Sequence, residues 1–596
     1  MTPRWNSSPF RDRPSPGLSL PTETPTYPFI CRVRSFRREP VDPTTNGCAP
    51  QVTAVRLTPN VNLDDQIRSL WMSANLKRPN ILLVMCDQLS ALATSPYGNP
   101  DVLTPHLAAL AARGTTFENA YCNAPLCAPS RASMMTGMLP DAIPVNDNAE
   151  ELPSSIPTFA HHLRRSGYKT ILSGKMHFVG PDQLHGFEER LTTDIYPADF
   201  QWTQDWDAVG DPPRDPEAPL FGYGAQMVAD AGPVSWSTQL DYDEEVHFRA
   251  LERIRQLSRR TGDSRHDPWL MCVSYTQPHD PYAPAQEYWD RYDDHDIRMP
   301  DPVPADYQET VWDTWVNAYH GVDVAELGHE ETYRARRSYY AMASYIDDKL
   351  GELQRELQRF EELENTVVIF LSDHGDMMGE HGMFFKRTFR EWSTRIPLIF
   401  AGAGIAQAER VSEAVSLVDV FPTILGLAKL GDVADEVTAL CAGDDILSTR
   451  TNSKTPQVIR PVIIDYSGEG TIAPTRTIVR GTYKYVYVHG HEELLFDLEE
   501  DPQEWVNLAS DSEFHEILAE LRSVCLSNWS PDDAERRIRA SQKRRTFINE
   551  SLSSGLYQSW DYQPAFDAAR MYVRRPIGQV WNRGYTRQTN PTEGGG

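Results

Sequence analysis

Long apolar runs are missing from this 596-residue chain: no stretch is long and apolar enough to cross a bilayer. Its opening residues, MTPRWNSSPFRDRPSPG, carry arginine but no apolar core, so they do not read as a secretory leader. Cysteine is scarce and scattered. The eight residues (Cys31, Cys48, Cys86, Cys122, Cys127, Cys272, Cys441 and Cys525) form no C-x-x-C pair and no compact spacing, which argues against a disulfide framework. Cys86 and Cys272 lie in the apolar runs ILLVMCD and WLMCVSY and read as small buried hydrophobes. These features suit a reducing compartment, and the cytoplasm is the expected location. Basic charge is also in deficit, with 57 Lys and Arg against 84 Asp and Glu and a net charge of −27. That argues against a nucleic-acid partner, because phosphate binding needs basic surface. An anionic substrate must meet positive charge concentrated in its own site, whereas a cationic one is weakly favoured by the field of the whole chain.

What is present is a globular composition, 40% hydrophobic and 24% charged, in a length that suits one large domain and a subdomain. Residues 1–78, rich in Pro, Ser, Thr and Arg, read as a disordered extension. From residue 79 strands and helices alternate. ILLVMCD (81–87) is a continuous apolar run, as a strand buried on both faces requires. Thr104 and Pro105 predict a helix start, and Gly114 its stop. PTFAHHLRRSG (157–167) reads as another helix and YKTILSGK (168–175) as a strand and loop. Residues 333–363 read as a long amphipathic helix, NTVVIFLSDHGD (365–376) as a buried strand and polar loop, and SLVDVFPTILGLAKL (416–430) as a further helix. This alternation predicts an α/β domain over 79–440, its mostly parallel central sheet flanked by helices. PVIIDYS, TRTIVRG and YKYVYVHG predict a smaller antiparallel α+β subdomain over 441–545. The tail, 546–596, holds aromatics too numerous for a free segment; docking on the body or on a neighbouring subunit of a homo-oligomer is expected.

In parallel sheets ligands sit at the carboxyl ends of strands, and Asp87 and Asp373-His374 fall at two such ends. Cys127 opens CAPSRASMMTG (127–137), where a thiol reads as core filler, metal ligand, nucleophile or the precursor of another group. CAPSRASMMTG fits the sulfatase pattern Cys-x-Pro-Ser-Arg-x-x-x-x-Thr-Gly at every defined position. GKMHFVG (174–180), TQPHDPY (276–282), SDHGDMMGEHG (372–382) with Lys386, and LFDLEEDPQEWVNL (495–508) follow in the family's order. Over residues 79–573 the chain resembles the sulfatases of the alkaline phosphatase superfamily. GKMHFVGPDQLHGFEERLTTDIYPADFQW (174–202), VNDNAEEL (145–152) and SWDYQP (559–564) resemble choline sulfatases in particular.

The resemblance implies an alkaline-phosphatase-like fold and hydrolysis of choline-O-sulfate to choline and sulfate. It implies that a formylglycine-generating or equivalent maturation enzyme oxidises Cys127 to formylglycine, an aldehyde that hydrates to a geminal diol. The implied metal ligands are Asp87, residue 127, Asp373 and His374. Hard oxygen donors suit Ca²⁺, with Mn²⁺ or Mg²⁺ as substitutes; a soft thiolate is the wrong partner beside them and a diol oxygen the right one. Most sulfatases carry two acids in a row where this chain has Asp87-Gln88. Arg131, Lys175 and Lys386 are implied to hold the formylglycine and the sulfate oxygens. Lys386 or His279 would protonate the leaving alcohol, and His177 would take the proton that expels sulfate. His161, His162 and His185 read as structural or surface residues. A trimethylammonium group donates no conventional hydrogen bond, so aromatic faces and acids must recognise it. Trp202, Asn148 and Asp561, the last between Trp560 and Tyr562, are the expected contacts. In APLFGYGAQMVADAG (218–232), Gly224 stands where choline sulfatases tend to carry a histidine. The competing readings are a phosphonate monoester or phosphodiester hydrolase, a sulfatase for another alkyl sulfate, and a non-catalytic binder of quaternary ammonium compounds.

Overall fold

The computed structural model describes residues 78–214, 224–260, 267–430, 441–448 and 460–555. The expected extension up to residue 77, the aromatic tail with Trp560, Asp561 and Tyr562, and residues 218–223 lie outside the described residues. An eight-stranded sheet dominates the rest. Its strands are β1 (Asn80–Cys86), β2 (Gly114–Phe117), β3 (Lys169–Gly174), β4 (Glu189–Arg190), β5 (Trp269–Ser274), β6 (Thr366–Ser372), β7 (Leu398–Gly402) and β8 (Glu409–Val411), in the order β8-β2-β7-β6-β1-β5-β3-β4. All run parallel except β7. β1 explains why its sequence does not alternate. Leu82, Val84 and Cys86 enter one apolar core; Ile81, Leu83 and Met85 enter the core on the opposite face.

Helices cover both faces. On the first lie α4 (Thr238–Ser258) and α6 (His329–Arg359), whose Val246, Ile254, Tyr339 and Leu350 pack onto β1 and its neighbours. On the second lie α2 (Cys127–Thr136), α3 (Phe159–Arg165) and α7 (Val420–Leu427), which contribute Met134, Leu163 and Ile424. The helix expected after Thr104 is α1 (Pro105–Ala112), but its ends are made differently. The Thr104 hydroxyl pairs with Ser95, and the free N–H groups of His106 and Leu107 are instead accepted by Asp347 on α6, at 2.9 and 2.7 Å. Gly114 does not cap this helix. It opens β2, where a Cβ would lie 2.1 Å from the Phe400 carbonyl oxygen.

A second sheet, β9 (Val462–Tyr466), β10 (Thr475–Arg480), β11 (Tyr483–Val488) and β12 (Leu494–Asp497), is an antiparallel meander. One face packs on α8 (His515–Leu526) and the start of α9 (Pro531–Ser553), through Tyr485, Leu495, Leu521 and Ile538. The other meets Trp312 and Trp315 of α5 (Val311–His320). The β9–β10 connection, 467–474, reaches the residues flanking α2 and Lys386: a Cβ on Gly468 would lie 2.8 Å from Leu126, and one on Gly470 3.4 Å from Arg387.

Candidate active site

Four neighbouring parallel strands, β6-β1-β5-β3, end side by side. Cys86 and Ser372 are paired in register, so Asp87 and Asp373, 286 residues apart in sequence, emerge together. β3 delivers Lys175 and His177, and the turn after β5 delivers His279. This is the carboxyl edge at which parallel sheets bind ligands. Here tips that the sequence placed far apart converge.

Over this edge stands the N-terminus of α2, and the local sequence explains its position. Leu126 is extended and offers no side-chain cap. The orphan N–H of Ala128 is accepted by Asn148 Oδ1 at 3.0 Å. Pro129 falls in the first turn, where a missing N–H costs nothing. Gly137 ends the helix at φ 71°, and a Cβ there would lie 2.8 Å from Cys441. The Thr-Gly that closes the motif is thus a helix stop, and the Cys that opens it is the helix's first residue.

Cys127 Sγ lies 3.7 Å from Asp87 Oδ1, 3.3 Å from His374 Nε2 and 3.3 Å from Lys386 Nζ. One ligand atom each from Asp87, Cys127, Asp373 and His374 lies within 4.8 Å of the others, and all four residues are buried. Two carboxylates and an imidazole fit a divalent cation, and an oxygen in place of sulfur at position 127 would complete the set. Arg131, one helical turn along α2, binds both acids: Nε donates to Asp373 Oδ2 at 2.7 Å and a terminal nitrogen to Asp87 Oδ2 at 3.2 Å. Its other nitrogen donates to the Lys175 carbonyl and the Ser274 hydroxyl. Lys175 pairs with Asp87 and lies 4.0 Å above the Tyr196 ring. Lys386 Nζ is 2.6 Å from both Gln88 Oε1 and His279 Nε2.

This charge density sets the protonation states. Burial alone would push the Cys127 thiol up, but Lys175, Lys386 and His374 outweigh it and hold the thiol well below its usual value. Burial and Cys127 oppose ionisation of Asp87, yet Lys175, His279 and Arg131 hold it at about 2. Gln88, which occupies the second-acid position, turns away from the cluster at a left-handed φ of 68°. Its amide nitrogen donates to Asp280 and Asp376 and its oxygen accepts from Lys386.

Beyond the charged floor is an aromatic wall. His177 stacks on Tyr196 at 5.4 Å and meets Trp202 edge-on at 5.8 Å; Tyr196 touches both Trp202 and His279. Both ring nitrogens of His177 are buried without a hydrogen-bond partner, though the ring lies close enough to Cys127 to help lower its thiol. Sequence reasoning missed Tyr196, although it sits inside the matched stretch, and missed Glu469. Glu469 is buried between Gly468, against Leu126, and Gly470, against Arg387, with Oε2 unpartnered. Burial raises Glu469 to about 7 against the pull of Arg387, with Asp147 adding to the rise. Of the expected contacts, Trp202 is on the wall and Asn148 is bonded to Ala128, next to Cys127, while Asp561 is outside the described residues. Gly224 admits no side chain at φ 73°, since a Cβ would lie 2.2 Å from the His320 carbonyl oxygen. His161 caps α3 and His162 packs edge-on against Phe421, as structural residues do.

A buried acid pair, a helix-borne Cys-x-Pro-Ser-Arg and three converging cations at the edge of such a sheet define a sulfatase site. The Sulfatase family model matches residues 79–430, and the chain belongs to that family; it is a sulfuric ester hydrolase. The models for the N-sulphoglucosamine sulphohydrolase C-terminus and the choline sulfatase C-terminus match residues 379–528 and 536–579. The chain is 43% identical over 505 residues to the choline-sulfatase of Rhizobium meliloti, covering 83% of this chain and 96% of that protein. It is 30% identical to an arylsulfatase of Clostridium perfringens, covering 75% and 94%. The phosphonate monoester hydrolase of Agrobacterium radiobacter shares the fold, with a TM-score of 0.57 at 22% identity over 78% of this chain and 96% of that one. No helix among the described residues is long and apolar enough to cross a membrane.

Proposed function

We propose that the enzyme hydrolyses choline-O-sulfate to choline and sulfate. The observation that carries this reading is the aromatic wall standing directly on the sulfatase floor, with Lys175 over the Tyr196 ring and His177 and His279 in ring contact with it, while the buried Glu469 is near enough to feel the charge of Cys127. Rings and a buried acid with one uncommitted oxygen are what a trimethylammonium group needs, beside the cations that a sulfate needs. The likeness to the Rhizobium meliloti enzyme and the choline sulfatase C-terminal match support it.

Asp87, Asp373, His374 and position 127 would hold the divalent metal, Ca²⁺ or a substitute. The metal would supply Lewis-acid polarisation, and formylglycine at 127 a hydroxyl nucleophile. The chain's own residues do the rest. Arg131, always charged, keeps both ligand carboxylates in place from one planar fork. Lys175 and Lys386 face the position of the sulfate oxygens, where preorganised charge is worth most. His279 Nδ1 donates to the Asp280 carbonyl at 2.7 Å, which leaves Nε2 to accept from Lys386. That pair is placed to hand a proton to the leaving choline oxygen. His177, with both ring nitrogens uncommitted, is placed to take up the proton that restores the site. A cytoplasmic location, a maturation enzyme acting on Cys127 and a homo-oligomeric state belong to the same proposal.

A phosphonate monoester hydrolase is the second reading, favoured by the shared fold. Rates of sulfate release from choline sulfate and of hydrolysis of an aryl phosphonate, with peptide mass spectrometry across Cys127, decide between them. Preference for the phosphonate, or an unoxidised thiol in fully active enzyme, would overturn the proposal.

A further inference from the structure

The buried stripe of α9 changes character along its length. Ala534 and Ile538 join the apolar core beneath the second sheet, but one and two turns further on the buried residues are Ser541, Gln542 and Arg545. This polar half grips two loops of the catalytic domain. Arg545 makes a bidentate pair with Asp147, at 2.8 and 2.7 Å, and the same guanidinium donates to the Thr203 hydroxyl at 3.1 Å. Gln542 Oε1 accepts from the backbone N–H of Trp206 at 3.1 Å. Ser541 bonds Glu150, which in turn accepts from the backbone and side-chain nitrogens of Asn146.

Each loop carries one candidate contact for the substrate cation. Asp147 precedes Asn148, whose side-chain oxygen accepts the Ala128 N–H at the start of α2. Thr203 follows Trp202, whose ring edge meets His177. Arg545 and Asp147 are 5% and 1% exposed, so the pair is almost wholly removed from water. Buried ion pairs are poor stabilisers, because desolvation offsets most of the attraction, and their best-attested use is to fix register. A planar fork spanning two loops fixes the distance between them.

We propose that Arg545 is a positioning residue for substrate selectivity: by joining the Asp147 loop to the Thr203 loop, it holds Asn148 and Trp202 at the separation that admits a quaternary ammonium group. α9 is then a strap between the two loops rather than an appendage. The inference rests on the choline sulfate reading above.

The test uses full-length enzyme, choline sulfate, and an aryl sulfate lacking any cationic group. Arg545→Met is expected to raise KM for choline sulfate by roughly ten- to a hundredfold, with kcat changed far less. Hydrolysis of the aryl sulfate stays close to wild type. Competitive inhibition by free choline weakens in step with KM, while inhibition by sulfate does not. Arg545→Lys restores part of the loss, since it keeps the charge but not the fork. Arg545→Met combined with Asp147→Asn removes both charges of the pair together; it reproduces the same split should the single variant fold poorly. Equal losses on both substrates, or no loss on either, would overturn the strap. A wild-type enzyme that shows no preference for choline sulfate and no inhibition by choline would overturn the substrate reading and the strap together. Strap failure alone leaves the wild-type preference intact.

Discussion

The floor of the site and its outer wall are built on different principles. The floor is made of the tips of strands in one sheet, one helix start and the neighbouring Lys386, with Asp87, Arg131, Lys175 and Asp373 all buried in one ion-pair network. The wall is made of loops: Tyr196 and Trp202 from the β4–β5 connection and Glu469 from the β9–β10 connection, with Arg545 of α9 behind them. Rigid, desolvated geometry suits the bond-breaking step, where misplacement is most costly. Recognition of a diffuse cation tolerates a looser construction. The two regions should therefore fail differently when altered.

The sharpest division comes from position 127. Cys127→Ser, expressed in a host that modifies only cysteine, should abolish turnover of choline sulfate and aryl sulfate alike, since no aldehyde forms. Sulfate release, with mass spectrometry of the peptide, checks this. Activity near wild type in that variant would show that the floor works without an oxidised residue.

Metal removal comes next. Dialysis against a chelator should remove most activity on every substrate and lower the melting temperature, because a ligand bound only to the native state stabilises it. Ca²⁺ or Mn²⁺ should restore both. Unchanged melting and turnover after exhaustive chelation would mean that Asp87, Asp373 and His374 hold no ion in the working enzyme.

The contrast between floor and wall also sets what could be read from the sequence. Residues Asp87, Cys127, Arg131, Lys175, His279, Asp373, His374 and Lys386 each sit in a short contiguous motif next to a recognisable strand or helix. The continuous apolar runs of β1 and β6 fixed which ends those motifs occupy, and the structure brings them together. Among the described strands of the main sheet only β7 runs against the rest, and its sequence carries no signal that distinguishes its direction. Asp347 as the cap of α1 was hidden because it acts across 240 residues. Glu469 sits in SGEG, a stretch that reads as an ordinary turn; its burial depends on where the second sheet docks. Arg545 looks like one more surface arginine among the basic residues of α9 until its partner Asp147, 398 residues away, is seen.

Glu469→Gln probes the wall where it is most buried. It should weaken choline sulfate by about 2 kcal/mol in kcat/KM while leaving the aryl sulfate little affected, as loss of one charge near another in a screened interior implies. The same residue predicts a pH effect of definite sign. With its value raised to about 7, Glu469 is neutral below that pH and ionised above it. KM for choline sulfate should thus fall as pH rises through about 7, and bound cation should move that midpoint downward. The aryl sulfate should show no such dependence, and Glu469→Gln should flatten the choline sulfate profile. A profile that survives the substitution assigns the titration elsewhere.

The smallest effect is expected at Trp202, and its size follows from exposure. The ring is 37% exposed, with one edge against His177 and a tilted contact to Tyr196, so a cation above its face remains partly hydrated. Cation–π attraction is worth about 0.5–2 kcal/mol across that range of desolvation. Trp202→Ala should therefore cost choline sulfate about 1 kcal/mol in kcat/KM, and Trp202→Phe less, because a ring face remains. The aryl sulfate, which brings no cation, gauges how far removal of the indole disturbs His177 through their shared contact. If both substrates lose equally, the indole serves only to pack His177, Trp202 belongs to the floor, and the boundary between the two regions must be redrawn one ring further out.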